Sequence, residues 1–499
     1  MATSRRILLS LCMGAVAGLL MAAGPKKTLA PAELKSVPGK TIRADLGLTG
    51  VSGWILVDLT TGKVVDQHNA DRVFVPASVA KLPTAAFVLD ALGPGYRFET
   101  RVKATGKVAK GRVKGTLVLE GGGDPELDTD ALGSIAKQLK AKGITRVDGA
   151  FLVDGSALPQ LREIEPNQGV DASYNASISG LNLNFNRVHV KWDARKGRNV
   201  LSVEAEAKEL SPKVSRIRVS LADGKGLPLF SLKMSAGREN WLMARRAFRG
   251  RAARWLPVKQ PEAYAAEVFR TVCATVGVKL PKPGAGKLPG KARVLLTHKS
   301  RPVASILRDM LRFSTNITAE VTGSAATRTI GIAAGSLKDS AEVMNAWAAS
   351  VAGFKIGDPG FRFANHSGLS LNSRVSPRRM VELLVALGKR APDAGAAHPR
   401  LPGGIAGYLR RHNVAAKDVP LDYDRLAVVA KTGTMSYVRG LAGYFATPGG
   451  RKFAFVIFSN DLDRRGSGAQ RVNKRWMGRA KGFERALIRS WVIKADGLG

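Results

Sequence analysis

Pro76-Ala77-Ser78-Val79-Ala80-Lys81 follows a polar turn and opens an apolar run, Ser78 to Leu92, that stops at Gly93-Pro94-Gly95. The run predicts a helix. Ser78 and Lys81 are three apart, so on a helix they share one face with their side chains in reach of each other. An amine beside a serine hydroxyl acts as its base when it is held neutral. Pro83 falls near the second turn and predicts a bend or a carbonyl left without its partner. Ser-x-x-Lys alone decides little, because Ser134-Ile135-Ala136-Lys137 repeats it inside another helical run and reads as ordinary helix surface. What singles out Ser78 lies far downstream, at Ser314-Thr315-Asn316 and Lys431-Thr432-Gly433-Thr434.

Each member of this ordered set has a chemical use. Ser78 is the expected acylated nucleophile and Lys81 its base, with Lys431 and burial holding Lys81 neutral. Ser314 suits proton transfer toward the leaving group, and Asn316 suits the substrate amide. Lys431, with Thr432 and Thr434, suits a terminal carboxylate. The backbone N–H groups of Ser78 and Thr434 are candidate donors to an oxyanion. Competing hydrolytic chemistries lack their signatures. There is no His-Glu-x-x-His, the six histidines are scattered, and no Gly-x-Ser-x-Gly elbow occurs. No metal or other cofactor is expected.

At 499 residues the chain is too long for one typical core, so two or more domains are expected. A hydrophobic content of 45% and a mean hydropathy of −0.05 fit a globular protein, not a disordered or multi-span one. The formal net charge is +39, and a product lacking Arg5, Arg6, Lys26 and Lys27 keeps +35 (39 − 4). Such a surface favours anionic partners: lipid headgroups, acidic wall polymers or nucleic acid. Residues 1–30 read as an export signal. Arg5-Arg6 precede the apolar run Ile7 to Met21, and the small residues Ala22-Ala23-Gly24 follow it. Export argues for the periplasm or cell envelope and against nucleic acid. It also removes Cys12, leaving Cys273 alone and the mature chain without an internal disulfide.

Strand-like sequence lies at both ends of the mature chain. Gly53–Leu59 and Lys63–Val65 read as a hairpin, and Leu426–Lys431, Gly440–Ala446 and Lys452–Ser459 as consecutive strands. These predict one sheet assembled from residues 31–99 and 294–499, with 100–293 inserted between them. Gly121-Gly122-Gly123-Asp124-Pro125 reads as a turn. Residues 190–256 read as a β-rich module nested in the insertion, with Asp223-Gly224 as a hairpin turn between Ile217–Leu221 and Leu227–Leu232. Arg245, Arg246, Arg249, Arg251 and Arg254 cluster near its end as a basic face. Leu280–Lys291 reads as a linker. One helix is predicted from Pro302 to Thr327, with Ser314 and Asn316 inside it, and a basic helix from Met477 to Val492.

The chain resembles the class C low-molecular-mass penicillin-binding proteins, the D-alanyl-D-alanine carboxypeptidases/endopeptidases. The resemblance spans nearly all of the mature chain. Besides the three motifs it includes Leu92-Gly93-Pro94-Gly95-Tyr96-Arg97-Phe98, the glycine turn at 121–125, Leu181-Asn182-Leu183-Asn184-Phe185-Asn186 and Ser367-Gly368-Leu369-Ser370. It implies an α/β serine transpeptidase/β-lactamase-like domain interrupted by two nested, β-rich inserted domains. It implies peptidoglycan stem peptides as substrate, β-lactams as acylating inhibitors, and the roles argued above for Ser78, Lys81, Ser314, Asn316 and Lys431. It further matches Asp154 to an acidic residue that reaches the substrate's diaminoacid side chain, a turn or cap carboxylate being the alternative. Met435 and Ser436 match residues lining the same pocket. Asn365-His366 stands where the family has Asp-Gly, and Thr315 where Asp is commoner. Two other readings share some of these features: a serine β-lactamase, and a non-catalytic binder of anionic wall polymer.

Overall fold

The computed structural model describes residues 37–195, 199–286, 292–391, 400–414, 426–466 and 473–495. The predicted export signal and Cys12 lie outside the described residues, as does part of the predicted linker.

The two ends of the chain build one antiparallel sheet. Strands β1 (Val51–Asp58) and β2 (Val64–His68) form a hairpin, and β1 pairs along its whole length with β5 (Lys452–Asn460). Next to β5 come β4 (Val438–Ala446), β3 (Ala427–Met435) and the short strand Arg410–Arg411. Strands β4 and β5 are buried almost throughout, because helices cover both faces of the sheet. On one face lie α1 (Lys81–Leu92), α2 (Val303–Phe313), α3 (Asn316–Thr329), α4 (Leu337–Ala352) and α5 (Pro377–Gly388), around a core that includes Val79, Leu82, Phe87, Met310 and Phe458. On the other, α6 (Lys474–Ala495) buries Trp476, Phe483, Leu487 and Trp491 against Trp54, Phe453 and Phe455.

The inserted region has its own five-stranded mixed sheet. Glu99–Ala104 pairs with Arg293–Lys299, so the insertion runs from the first of these strands through the second. The predicted linker contributes to it, with Pro283–Ala285 adding a parallel strand beside Phe151–Asp154. The nested module contains two three-stranded sheets and shares one core with its host, where Val190, Trp192 and Trp241 join Leu119, Ile135 and Phe269.

Three local expectations fail for identifiable reasons. Ile217–Ala222 and Phe230–Ser235 do not pair with each other through Asp223-Gly224; both pair with Arg238–Ala244, the first in parallel. The tight turn is Ala236-Gly237, both with positive φ (47° and 68°), while Asp223 is engaged by Arg245. Pro83 causes no mid-helix bend. Ala77–Ala80 is a 3₁₀ turn and the α-helix starts at Lys81, so Pro83 sits in its first turn, where the backbone N–H has no helical acceptor. The predicted helix from Pro302 to Thr327 is two helices, broken at Ser314, whose φ is 60°.

Candidate active site

The break at Ser314 is what makes the second motif work. On a continuous helix, residues two apart face nearly opposite sides. With Ser314 in a left-handed conformation and Asn316 opening α3, both side chains reach one cleft. Ser314 Oγ accepts a 2.9 Å hydrogen bond from Lys431 Nζ, and Asn316 Oδ1 accepts one of 2.7 Å from Lys81 Nζ.

The first motif is brought to the same place by the 3₁₀ turn. Lys81 Nζ lies 3.0 Å from Ser78 Oγ and donates at 2.8 Å to the Ser367 carbonyl. Three acceptors around one amine use all the donors of an ammonium; when the amine is neutral it keeps two N–H groups for Asn316 and Ser367 and can turn its lone pair to the Ser78 hydroxyl. Burial drives the Lys81 amine well below its ordinary value, and the charge of Lys431 pushes in the same direction, against the nearby Glu320 carboxylate. Lys431 is itself lowered to about 7, first by burial and then by Arg439.

The third motif explains its own glycine. A Cβ on Gly433 would stand 2.3 Å from the Pro76 carbonyl oxygen, and one on Gly368 would stand 2.0 Å from that of Ala77. Strand β3 and the loop carrying Ser367 thus press directly on the nucleophile's turn, an approach only a residue without a side chain permits. Lys431 Nζ also donates to the Thr432 carbonyl at 2.8 Å. Exposed Thr434 accepts a 2.8 Å hydrogen bond at Oγ1 from Arg439, whose remaining donors are held by buried Glu484. Met435 packs against the small cluster Val75, Ala77 and Val438 beside the nucleophile's turn, and Ser436 is buried in the turn between β3 and β4.

Asp154 is placed elsewhere. It shares a cavity with Tyr96, Arg97 and Arg328, and Arg328 lies twelve residues along α3 from Asn316, about 18 Å at the usual helical rise. Its Oδ1 accepts the Ser156 N–H at 2.9 Å, which is the turn-carboxylate alternative. The part of the insertion that does touch the cleft is the segment around Asp171 and Tyr174, because Asn316 Nδ2 donates 3.0 Å to the Tyr174 carbonyl. The second Ser-x-x-Lys is helix surface, with Ser134 and Lys137 both exposed.

Motif reading missed Glu320. It is fully buried one turn along α3 from Asn316 and accepts the backbone N–H groups of His366 and Ser367 at 3.1 and 2.8 Å. It therefore fixes the loop whose carbonyl receives Lys81. His366 is buried, held neutral by burial with a value near 3, and meets Ser340 Oγ at 2.8 Å. The one signal of Glu320 in the sequence was its place as the single acid of α3.

The model of the D-Ala-D-Ala carboxypeptidase 3 (S13) family matches residues 41–477. The chain belongs to that family. Among S13 relatives, it is 24% identical over 427 residues to the D-alanyl-D-alanine carboxypeptidase DacB of Haemophilus influenzae, covering 82% of this chain and 85% of that one. It is 29% identical over 458 residues to a D-alanyl-D-alanine carboxypeptidase of an Actinomadura species, covering 84% and 79%. The fold matches the crystal structure of penicillin binding protein 4 from Haemophilus influenzae with a TM-score of 0.71 at 21% identity, over 91% of this chain and 99% of that one.

Proposed function

We infer that this S13 chain is a serine DD-peptidase that cleaves D-alanyl-D-alanine bonds of peptidoglycan stem peptides through an acyl-enzyme on Ser78. The observation that carries the reading is Lys81 Nζ held 3.0 Å from Ser78 Oγ by Asn316 and Ser367, in a buried position that favours the neutral amine needed to take the Ser78 proton. Ser78 Oγ attacks the penultimate D-Ala carbonyl as its proton passes to Lys81 Nζ. Collapse of the tetrahedral adduct breaks the peptide bond. The leaving amine of the terminal D-Ala takes a proton along Ser314 and Lys431, which sit 2.9 Å apart. Water then attacks the ester, releasing the shortened peptide and restoring the Ser78 hydroxyl. Lys431 and Thr432 take the terminal carboxylate, and the Ser78 and Thr434 N–H groups face the oxyanion. Nothing in this scheme requires a cofactor.

β-Lactams present a strained amide to the same nucleophile and are expected to acylate it. Labelled penicillin tests the reading: a slowly decaying adduct on the Ser78 peptide supports it. Rapid turnover of the adduct indicates a β-lactamase instead, and no adduct overturns both.

The export-signal pattern of residues 1–30 and the basic surface support a place in the cell envelope, against an anionic surface. In the arginine cluster, Arg245 is paired with Asp223 and Arg254 with Asp171, while Arg249 and Arg251 are exposed. Helix α6 also exposes Lys474, Arg475, Lys481, Arg485 and Lys494, and its one acid, Glu484, is buried with Arg439. Binding to isolated envelope material is expected to weaken steeply with salt, because exposed charges are screened within about 8 Å at physiological ionic strength. Lys481→Gln with Arg485→Gln should have the same effect, and binding indifferent to both salt and substitution removes the idea.

A further inference from the structure

A cavity of about 660 Å³ opens where the nested module, the glycine turn and the strand Arg293–Lys299 meet. It lies within the size range of pockets that hold small organic ligands, and it is separate from the Ser78 cleft. Arg187, Phe185 and Trp255 line it, as do Asp124, Glu126 and Asp128.

Most of the charge lining this cavity is already committed. Asp128 caps a helix through the Ala131 N–H, and Glu126 forms a double hydrogen bond with Arg301. Glu206 is engaged by His189 and Lys191, Lys208 by Glu209, and Lys299 by Glu99. Asp124 is buried and pushed up to about 7, chiefly by that burial, so it is largely neutral below that value. Arg187 differs from all of these. No described residue offers it a carboxylate or carbonyl, and its buried Nε has no acceptor. The guanidinium carbon instead stands 5.1 Å from the ring centre of Phe185 and 5.4 Å from that of Trp255. Aromatic faces stabilise a cation and hold its plane, but they leave the in-plane N–H donors free.

The backbone is strained to build this wall. Asn184, Phe185 and Asn186 all have positive φ (51°, 56° and 50°), an uncommon run for residues other than glycine. The flanking asparagines hold it in place. Asn184 Nδ2 donates to Thr129 Oγ1 and the Tyr264 hydroxyl, and Asn186 Nδ2 to the Ser177 carbonyl and Asn182 Oδ1. Trp255 is fixed in turn by stacking on His189 at 4.4 Å.

We propose that this cavity is a second binding site, in which Arg187 receives the carboxylate of a short peptide while Phe185 and Trp255 pack its apolar flank. A planar carboxylate matches the outer Nη donors of a held guanidinium, pairing both oxygens. A phosphate dianion fits less well, because Glu126, Asp128 and Glu206 line the same space and repel a second negative charge. The site does not depend on the DD-peptidase reading, since none of its residues belongs to the Ser78 cleft.

The test uses the full chain with N-acetyl-L-alanyl-L-alanine, its C-terminal amide and inorganic phosphate, with binding followed by calorimetry. The free carboxylate is expected to bind about tenfold or more tightly than the amide, as befits loss of a charge-assisted pair, and phosphate more weakly than the peptide. Arg187→Gln should remove that preference while leaving hydrolysis of a soluble D-Ala-D-Ala peptide unchanged. Removing Arg187 also unpacks two rings, so the unsubstituted chain supplies a second readout. Phenylglyoxal labelling of Arg187, followed by mass spectrometry, should slow when the peptide is bound. Labelling that is indifferent to the peptide overturns the site. So does equal binding of acid and amide, tighter binding of phosphate, or a folded Arg187→Gln chain that binds as the parent does.

Discussion

Asn316 and Tyr174 meet at a 3.0 Å hydrogen bond from the asparagine Nδ2 to the tyrosine carbonyl, across 142 residues of sequence. The same side chain accepts from Lys81 Nζ at its other end, so one amide links the base of the nucleophile to the inserted region. Asn316→Asp replaces a neutral acceptor with a carboxylate 2.7 Å from that amine. A neighbouring negative charge favours the protonated lysine, so the pH at which penicillin acylation reaches half its maximum should move upward. An unmoved profile would show that Lys81 is not the group being titrated. Asn316→Ala should slow acylation without that upward shift.

The nucleophile itself separates cleanly from its sequence twin. Ser134 is exposed on a helix and merely accepts a hydrogen bond from Gln138 at 3.3 Å, whereas Ser78 faces a buried amine. Ser78→Ala should lower D-Ala-D-Ala hydrolysis on the order of a thousandfold or more and abolish the penicillin adduct. Ser134→Ala should leave both intact. An adduct that persists in Ser78→Ala chain sinks the assignment.

The alkaline side of the profile belongs to Lys431. Its value near 7 means that the free enzyme loses the cation facing the substrate carboxylate as pH rises through neutrality. Because kcat/KM reports the free enzyme, it should fall above about pH 7 for a peptide ending in a free carboxylate. The C-terminally amidated peptide, which has no carboxylate to hold, should lack this fall. If both peptides decline together, the limb must come from a different group.

The sequence made the catalytic chemistry readable because three motifs in order specify side chains, and side chains carry the chemistry. Ser78, Lys81, Ser314, Asn316 and Lys431 converge as the spacing predicts. The single sheet built from both ends was readable too, since alternating apolar runs at each end need partners. The break at Ser314 was not, because the apolar period continues through it and only the demand that Ser314 and Asn316 face one cleft betrays it. The strand pairing of the nested module was equally hidden. Asp223-Gly224 is a good local turn signal, but Arg245 binds Asp223 and the strand at Arg238–Ala244 competes for both neighbours. Asp154 was ambiguous for a related reason: a carboxylate two residues before Ser156 satisfies a turn wherever the fold places it. Glu320 gave no motif at all, since its role is to hold backbone N–H groups of a loop distant in sequence.

A buried catalytic cation should also be visible as a cost to folding. Lys431 is 2% exposed, and its amine titrates near 7 in the folded chain against about 10.4 in an unfolded one. Below pH 7 both states are protonated and the full cost of burying the charge is present. Between about 7 and 10.4 the unfolded state holds more protons, so stability must rise with pH. At about 1.4 kcal/mol per pKa unit the cost at neutral pH amounts to a few kcal/mol, of the same order as the roughly 1.5–3 kcal/mol each expected for a cation's bonds to Ser314 and Thr432. Lys431→Met should therefore show a shallower gain in stability between pH 7 and 9 in urea unfolding. Some slope will remain, because Lys81 is displaced in the same direction. Such a chain should lose activity toward carboxylate-ended peptides together with that part of the pH slope. A Lys431→Met chain with the parent's pH slope intact would mean that the lysine is not a buried cation carried for the sake of the reaction.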